Sequence, residues 1–118
     1  MMDLGHKKLE VWKRSVKLVG SVYGITSDFP PDERFGLTNQ ARRAAVSTPA
    51  NIAEGASRGS SKERRRYYEV ARSSIAELDT HFEIAIELGY KTESELNPLT
   101  NEMTEIFAML SGMMSNTR

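Results

Sequence analysis

Apolar residues recur along most of the chain at steps of three and four, the spacing of one face of an α-helix. Four such segments are separated by short stretches that contain Pro, Gly or Ser. No stretch alternates apolar and polar residues as a half-buried strand does. We therefore predict an all-α protein, an antiparallel up-down four-helix bundle forming a single domain over 1–118. The predicted helices lie at about 6–25, 36–57, 61–88 and 93–115.

Local signals mark where these helices begin, end and bend. Ser60 and Glu63 have the spacing of a capping box, and Thr38 or a neighbouring residue is the expected N-cap of the second helix. Gly89 is the expected residue just after the third helix. Pro49 lies inside the second segment, where we expect a kink because the periodicity resumes in phase beyond it.

The third and fourth segments each show one apolar stripe, as the outer helices of a monomeric bundle do. The expected core of the third is Tyr67, Ala71, Ser74, Ile75, Leu78, Phe82, Ala85 and Ile86. The expected core of the fourth is Leu99, Met103, Ile106, Phe107, Leu110 and Met114. Two starts are open for the fourth helix, one at Thr92 and one at Asn97-Pro98.

The first two segments carry apolar residues on two faces. In the first, the expected core stripe is Leu9, Trp12, Val16, Val19 and Tyr23, and a second row is Val11, Leu18, Val22 and Ile25. In the second, the expected core is Leu37, Ala41, Ala44, Ala45, Thr48, Ile52 and Ala56, and the far side is Arg42, Val46, Ala50, Ala53 and Ser57. We expect another copy of the chain to cover the second faces. The alternative is a compact bundle that covers more of these helices than usual.

A polar row lies between the two faces of the second segment. It consists of Gln40, Arg43, Ser47, Asn51 and Glu54, and it continues to Arg58. We expect Ser47, Asn51 and Glu54 to be partly buried and therefore paired. The leading interpretation is a hydrogen-bond ladder that fixes the register of the helix. A contact with a partner chain is one alternative, and a catalytic or ligand-binding cluster is another, although the row has no histidine and no activated nucleophile.

Composition narrows the class of protein. The chain has no cysteine, which excludes disulfides, thiolate zinc sites and cysteine nucleophiles. No apolar run approaches the roughly 20 residues that span a bilayer, and the first residues lack the apolar segment of a secretory signal. The histidines, His6 and His81, lack the paired spacing of metal ligands. We predict a cytoplasmic protein that is not an enzyme, has no cofactor or metal and does not enter a membrane.

The charges balance overall but are unevenly distributed. Lys and Arg number 16, as do Asp and Glu, which excludes a uniformly basic coat for nucleic acid. Basic residues nevertheless cluster in the first segment and at the start of the third, where they oppose the helix dipole and stand beside Tyr67 and Tyr68.

Cations bind phosphates and aromatic rings stack on bases, so these clusters predict RNA or DNA binding. The predicted contacts are Lys13, Arg14, Lys17, Arg58, Arg64, Arg65 and Arg66. A solvated charged turn is the alternative for the third-segment cluster. The alternative function is a protein-interaction adaptor or scaffold without nucleic-acid contact.

Several segments of the chain resemble one bacterial protein family. They are Leu9-Glu10-Val11-Trp12, Leu18-Val19, Val22-Tyr23, Phe29-Pro30, residues 37–47, Asn51-Ile52-Ala53-Glu54-Gly55, Arg58-Gly59, residues 71–78 and Leu88-Gly89-Tyr90. Over nearly its whole length the chain is similar to the four-helix proteins first described as products of intervening sequences in bacterial 23S ribosomal RNA genes.

The resemblance implies an assembly and a set of partners. It implies a homopentameric ring of antiparallel bundles. It also implies kinship with accessory proteins of diversity-generating retroelements, which associate with a reverse transcriptase and nucleic acid, so a nucleic-acid-processing protein is an expected partner. The family supplies no catalytic residue, and its signature residues Arg43, Ser47, Asn51 and Glu54 belong to the polar row.

Overall fold

The computed structural model describes residues 1–116, which form helices and no strand. Helix α1 spans Glu10–Thr26, α2 Leu37–Ala56, α3 Ser61–Glu87 and α4 Glu93–Asn116. Single 3-10 turns at Gly5–Lys8 and Pro31–Glu33 precede α1 and α2. The predicted all-α class with four helices is confirmed, and residues 117 and 118 of the predicted domain lie outside the described range.

The helices pack in chain order around one core, and α4 closes the bundle against α1. Neighbouring helices are antiparallel: Ser47 of α2 meets Ser74 of α3, whereas Gly55, nearer the turn between them, meets Tyr68. The start of α1, the α2–α3 turn and the end of α4 therefore share one end of the bundle. The α1–α2 and α3–α4 connections share the other end.

Helix α1 differs from its prediction in both its start and its buried face. Leu9 is extended (φ −72°, ψ 126°), so α1 begins at Glu10 and not near residue 6. The predicted core stripe and second row are also exchanged. The core receives Val11, Ser15, Leu18, Val22 and Thr26, whereas Val16 and Tyr23 of the predicted stripe are exposed and Leu9, Trp12 and Val19 are only partly buried.

The exchange has a physical reason. Both rows of α1 repeat at helical spacing, and the buried one contains two polar residues, Ser15 and Thr26, which count against it on hydrophobicity. The Ser15 hydroxyl donates to the carbonyl of Trp12 at 2.8 Å, and the Thr26 hydroxyl donates to that of Val22 at 2.7 Å. Because each hydroxyl is satisfied within its own helix, neither one opposes burial.

Helix α2 buries its predicted core face. Six of its seven predicted core residues are buried, and the seventh, Ala56, is partly buried. The helix continues through Pro49. Of the expected caps, Thr38 itself is wrong because it lies inside the first turn, and the nearby Gly36 is the N-cap. The Glu33 side chain accepts a hydrogen bond from the N–H of Leu37 at 3.1 Å.

Helix α3 has the predicted signals at both ends. The Ser60 hydroxyl accepts from the N–H of Glu63 at 3.1 Å. At the other end, Gly89 has a φ of 78°, and the N–H of Tyr90 donates back to the carbonyl of Ala85 at 2.9 Å. This left-handed residue and the bond that follows it are the features of a glycine-terminated helix.

The buried face of α3 includes two residues that were not predicted for it. Tyr68 is buried, whereas the predicted core residue Tyr67 lies nearer the surface under the guanidinium of Arg58. His81 is also buried, and its Nε2 lies 3.1 Å from a carboxylate oxygen of Glu77. The prediction that neither histidine has a further potential metal ligand at helical spacing is therefore wrong for His81, because Glu77 stands one turn before it. Within residues 1–116, however, no three His, Asp or Glu side chains are grouped so that they could hold a metal ion.

Helix α4 begins at the earlier of its two candidate starts. The N–H of Glu95 donates to the Thr92 hydroxyl at 3.2 Å, and the N–H of Thr92 donates to the Glu95 carboxylate at 2.9 Å, which is a reciprocal capping box. Pro98 lies within the helix. Phe107 is not a core residue: it is 39% exposed, and the guanidinium of Arg72 covers its ring at 5.3 Å.

Candidate interaction surfaces

The outward side of α1 and α2 is an apolar surface, which we call the outer apolar face. It comprises Trp12, Val16, Val19, Val46, Ala50 and Ala53. Val16 is 42% exposed and Val46 is 44% exposed, values typical of a surface and not of a core. The side chains of Ala50 and Ala53 are small, so a neighbouring backbone could approach α2 closely at this point.

The polar row of α2 divides into two parts. Ser47 and Asn51 are half-buried between α2 and α3. The Ser47 and Ser74 hydroxyl oxygens lie 2.9 Å apart, and the Asn51 amide donates to the carbonyl and the hydroxyl of Ser47 at 2.8 and 3.0 Å. The Ser47–Ser74 bond links the two helices, and the Asn51 bonds lie within α2 and hold Ser47 in place.

The rest of the row is at the surface. Gln40 and Arg43 are exposed, and the expected burial of Glu54 is wrong because its side chain is 54% exposed. Glu54 instead accepts a hydrogen bond from Arg58 at 2.8 Å, one helical turn away.

The predicted basic residues of α1 lie along the groove between α1 and α4. Lys13 and Lys17 are exposed. The guanidinium of Arg14 instead donates to both carboxylate oxygens of Glu102, at 2.7 and 3.0 Å, and it also contacts Glu105. Two carboxylates therefore neutralise Arg14, and its charge holds α1 to α4.

The predicted basic residues near the start of α3 also divide into two groups. Arg58 donates to Tyr67 and stacks on its ring at 4.8 Å, and the electrostatic interaction with Tyr67, followed by the bond to Glu54, raises the pKa of Arg58. Arg64 donates to the carbonyl of Arg58 at 3.1 Å. Arg65 and Arg66 are exposed, with no ion pair to any other residue in 1–116.

The fold gathers these residues and others at the end of the bundle that holds the α2–α3 turn. We call this the basic end: Lys7, Lys8, Arg58, Lys62, Arg64, Arg65 and Arg66. Its acidic residues are Asp3, Glu10, Glu54 and Glu63. Lys7 and Lys8 were not among the predicted contacts, because only the antiparallel path brings the 3-10 turn before α1 beside the α2–α3 turn. Lys62 was not among them either, although it stands in the same sequence cluster as Arg64, Arg65 and Arg66. The α1 cluster lies on a different flank, since α1 and α3 are diagonal in the bundle.

The opposite end is acidic. It carries Asp28, Asp32, Glu33, Glu83, Glu87, Glu93 and Glu95, with Arg34, Arg42, Arg43 and Lys91 as its basic residues. Several of these charges are bound within the fold. The Glu33 carboxylate accepts from the Tyr90 hydroxyl at 2.7 Å and from the N–H of Leu37. The bond from Tyr90, followed by that from Leu37, lowers the pKa of Glu33, and the pKa of Tyr90 is raised in return.

Lys91 makes the second charged link at the acidic end. Its side chain is 6% exposed, and its ammonium lies 2.7 Å from one carboxylate oxygen of Asp28 and 2.9 Å from the other. This hydrogen bond lowers the pKa of Asp28. The backbone N–H and the hydroxyl of Thr92 do the same for the pKa of Glu95.

Comparison with known proteins connects this fold to one group. A family model described as 23S rRNA-intervening sequence protein matches residues 7–112. The fold is also similar to the crystal structure of a protein of unknown function from the S23 ribosomal protein family of Bacteroides thetaiotaomicron VPI-5482. That similarity has a TM-score of 0.78 and 21% identity, covering 88% of this chain and 97% of the other. No curated protein matches the chain. None of the helices within residues 1–116 has the length and apolar character that a membrane crossing requires.

Proposed function

The chain belongs to the family of 23S rRNA-intervening sequence proteins, and from this premise we propose that it is a non-enzymatic cytoplasmic protein that assembles into a pentameric ring and binds RNA. The outer apolar face forms the contacts between copies. The basic end contacts the phosphates. The observation that carries the RNA assignment is that exposed cations without carboxylate partners collect at one end of a chain whose net charge is zero.

Burial and charge support the self-assembly. The outer apolar face carries no carboxylate and no lysine, so covering it requires little desolvation of charge. A contiguous apolar surface of this kind ordinarily marks a contact with another protein. Symmetric assembly would place identical basic ends around one rim, which strengthens the field that attracts an anionic chain.

The pairing of the arginines refines the set of RNA contacts. Arg14 already holds two carboxylates, and Arg58 and Arg64 are bound to neighbouring groups of the fold. Lys62, Arg65 and Arg66 are exposed, and no salt bridge occupies them among residues 1–116. We assign phosphate contact first to these three residues, and we assign Arg14 to the α1–α4 contact.

Mass in solution tests the assembly. Val16→Glu and Ala50→Glu place a charge on the outer apolar face, outside the lining of any arginine cluster, and should reduce the particle toward the 13.2 kDa monomer. Val70→Glu is a matched control, because Val70 is 41% exposed but lies on α3, away from that face. Trp12 is the only tryptophan, so its emission should shift toward longer wavelength on dissociation. A wild-type monomer at all concentrations would contradict the assembly.

A binding isotherm at two salt concentrations tests the RNA contact. Each phosphate contact contributes about 0.9 to the slope of log K against log salt on duplexes and about 0.7 on single strands. We expect the double change Arg65→Gln and Arg66→Gln to lower the slope by between about one and two. Lys13→Gln with Lys17→Gln removes the same charge from the α1 flank and should change it less. Absent or salt-insensitive binding of the wild-type protein would contradict RNA association, and the same assay with DNA distinguishes the two nucleic acids.

The acidic end favours a second candidate function, that of an adaptor for a basic protein such as a nucleic-acid-processing enzyme. Seven carboxylates lie there against four basic residues, Arg34, Arg42, Arg43 and Lys91. An adaptor would capture a specific partner in a pull-down that survives nuclease treatment, and Glu83→Gln with Glu87→Gln should weaken that capture. If capture disappears with nuclease, RNA bridges the two proteins and the adaptor function is contradicted.

A further inference from the structure

A groove of about 600 Å³ lies where the end of α1 meets the start of α2. The residues that matter for its chemistry are Tyr23, Arg34, Phe35, Asn39, Arg42 and Arg43. Its volume is in the range of roughly 300–1,000 Å³ that is usual for sites of small ligands. The groove is separate from the basic end, since the α1–α2 connection lies at the opposite end of the bundle.

Three arginines line this groove and no carboxylate does. Arg34 and Arg43 are exposed, and none of the three forms an ion pair within residues 1–116. The groove between α1 and α4 is different: its basic side chains share the surface with Glu10 and Glu102. The nearby Glu33 is already bound to Tyr90 and to the N–H of Leu37. The arginine groove therefore has three positive charges and lacks an anion.

The groove also presents a highly exposed aromatic ring. Phe35 is 85% exposed, and the guanidinium of Arg34 lies 5.3 Å from its ring centroid. Tyr23 is already covered by Arg42 at 4.4 Å, and Arg42 is fixed in place by a 3.0 Å hydrogen bond to the Thr26 hydroxyl. A phenyl ring has no polar atom, so its contact must come from a flat or apolar group. Guanidinium groups together with an exposed ring suit a ligand that carries a phosphate and a base.

We propose that this groove binds a nucleotide of single-stranded RNA. Arg34 and Arg43 hold the phosphate, because a planar guanidinium matches phosphate oxygens bidentately. The base stacks on Phe35, and the Asn39 amide offers a donor and an acceptor to its edge. This assignment rests on the proposed RNA association and gives it a preference for unpaired bases, since a base inside a duplex exposes no face for stacking.

Val46 of the outer apolar face also lines this groove, so a second copy of the chain is the rival occupant, but it suits the three arginines less well than RNA does. Covering the exposed guanidinium groups of Arg34 and Arg43 with protein would cost a large desolvation free energy unless carboxylates met them. A phosphate-bearing strand supplies that charge directly. An acidic peptide would neutralise the arginines but would leave Phe35 in water.

Titration of fluorescein-labelled oligouridine and of an RNA duplex into the full-length protein tests the proposal. Phe35→Ala should weaken oligouridine binding about tenfold and leave duplex binding unchanged. Phe107→Ala is the matched control, because Phe107 is also a surface ring with an arginine 5.3 Å above it but lies on α4. Arg43→Gln should lower the salt slope for oligouridine by about 0.7. Because Phe35 is so exposed, its removal leaves no cavity, and circular dichroism should show an unchanged fold.

The outcomes separate this proposal from the proposed function. If Phe35→Ala binds oligouridine like the wild type while Arg65→Gln with Arg66→Gln does not, the basic end binds RNA and the groove assignment is wrong. If Phe35→Ala loses binding and the Arg65 and Arg66 changes do not, the groove is the site and the basic end is not. A lower particle mass for Phe35→Ala would make a second copy the occupant and overturn the proposal. No binding by the wild type would overturn both.

Discussion

The two ends of the bundle carry opposite charge and use it in different ways. At the acidic end, charged side chains hold the loops: Glu33 binds Tyr90, and Lys91 binds Asp28 from an almost fully buried position. At the basic end, close packing of α2 on α3 holds the connection in place, because Gly55 lets the two helices approach closely. Exposed cations at the basic end are therefore left for a partner. The number of charges at one end therefore does not by itself locate an interaction surface. What locates it is which charged side chains lack an ion pair within the fold.

The largest loss of stability is expected from Gly55→Ala. A Cβ at this position would lie 2.8 Å from Cε1 of Tyr68 and 3.0 Å from Cβ of Tyr67. The Tyr67 Cβ is fixed by the backbone of α3, so the two helices must separate, and we expect a loss of about 1–3 kcal/mol in the free energy of unfolding. Urea denaturation measures this difference.

Gly24→Ala is the control for this change. Gly24 lies in α1, and a Cβ there would meet no heavy atom within 4 Å. Alanine favours a helix over glycine by up to about 1 kcal/mol, so this variant should be as stable as the wild type or more so. Equal stability of Gly55→Ala and the wild type would show that close helix approach does not hold the basic end.

Sequence periodicity was sufficient for the four helices but not for every buried face. On α2 the core face is mostly small apolar residues and was predicted correctly. On α1 two apolar rows repeat equally well, and the buried one contains Ser15 and Thr26, whose hydroxyls bond within their own helix. The sequence shows neither those bonds nor the position of the neighbouring helix. The prediction therefore assigned the more apolar row to the core, and this assignment was wrong.

The candidate surfaces depend still more on tertiary structure. Lys7 and Lys62 lie far apart in sequence, and they lie at the same end of the bundle only because neighbouring helices are antiparallel. Arg14 was predicted to contact nucleic acid, but Glu102, 88 residues away in the chain, binds its guanidinium. A basic cluster can be found from sequence, whereas the carboxylates that neutralise it come from elements whose position the sequence alone does not give.

Acidification should weaken the hydrogen bonds that hold the acidic end and should affect the basic end less. The carboxyls of Asp28, Glu33 and Glu95 all have a pKa lowered by the hydrogen bonds described above. A carboxyl whose pKa is lower in the folded than in the unfolded chain stabilises the fold above its unfolded pKa, and this contribution is lost as the pH falls through the folded pKa. The free energy of unfolding should therefore decrease as the pH falls below 4.5, the ordinary pKa of a Glu carboxyl.

Urea denaturation at a series of pH values, with hydrogen exchange of backbone amides, measures this effect. Amides of the α1–α2 and α3–α4 connections should lose protection before those of the α2–α3 turn. Glu33→Gln should reduce the pH dependence, because the amide does not titrate. A stability that stays constant or rises on acidification would mean that these bonds do not hold the acidic end.

Tyr90→Phe removes a single bond of the acidic end and should have a smaller effect. The ring can keep its packing on Phe29, 5.6 Å away, while Glu33 keeps the N–H of Leu37. We expect a small destabilisation and a rise in the pKa of Glu33, since the Tyr90 hydroxyl is the main cause of its lowering. An NMR titration of the carboxyl reports the pKa directly. Tyr23→Phe is the control, and an unchanged pKa in Tyr90→Phe would contradict the link.

The smallest effect on stability is expected at the basic end. Arg65→Gln with Arg66→Gln should leave the free energy of unfolding within about 0.5 kcal/mol of the wild type, because exposed side chains without partners hold nothing in place. Arg14→Gln removes only one charge but frees Glu102 and Glu105, so its cost should be larger, up to about 1 kcal/mol. Urea denaturation of both variants shows which one loses more free energy of unfolding. If the double change proved the more costly, Arg65 and Arg66 would be structural residues, and the difference between the two ends would disappear.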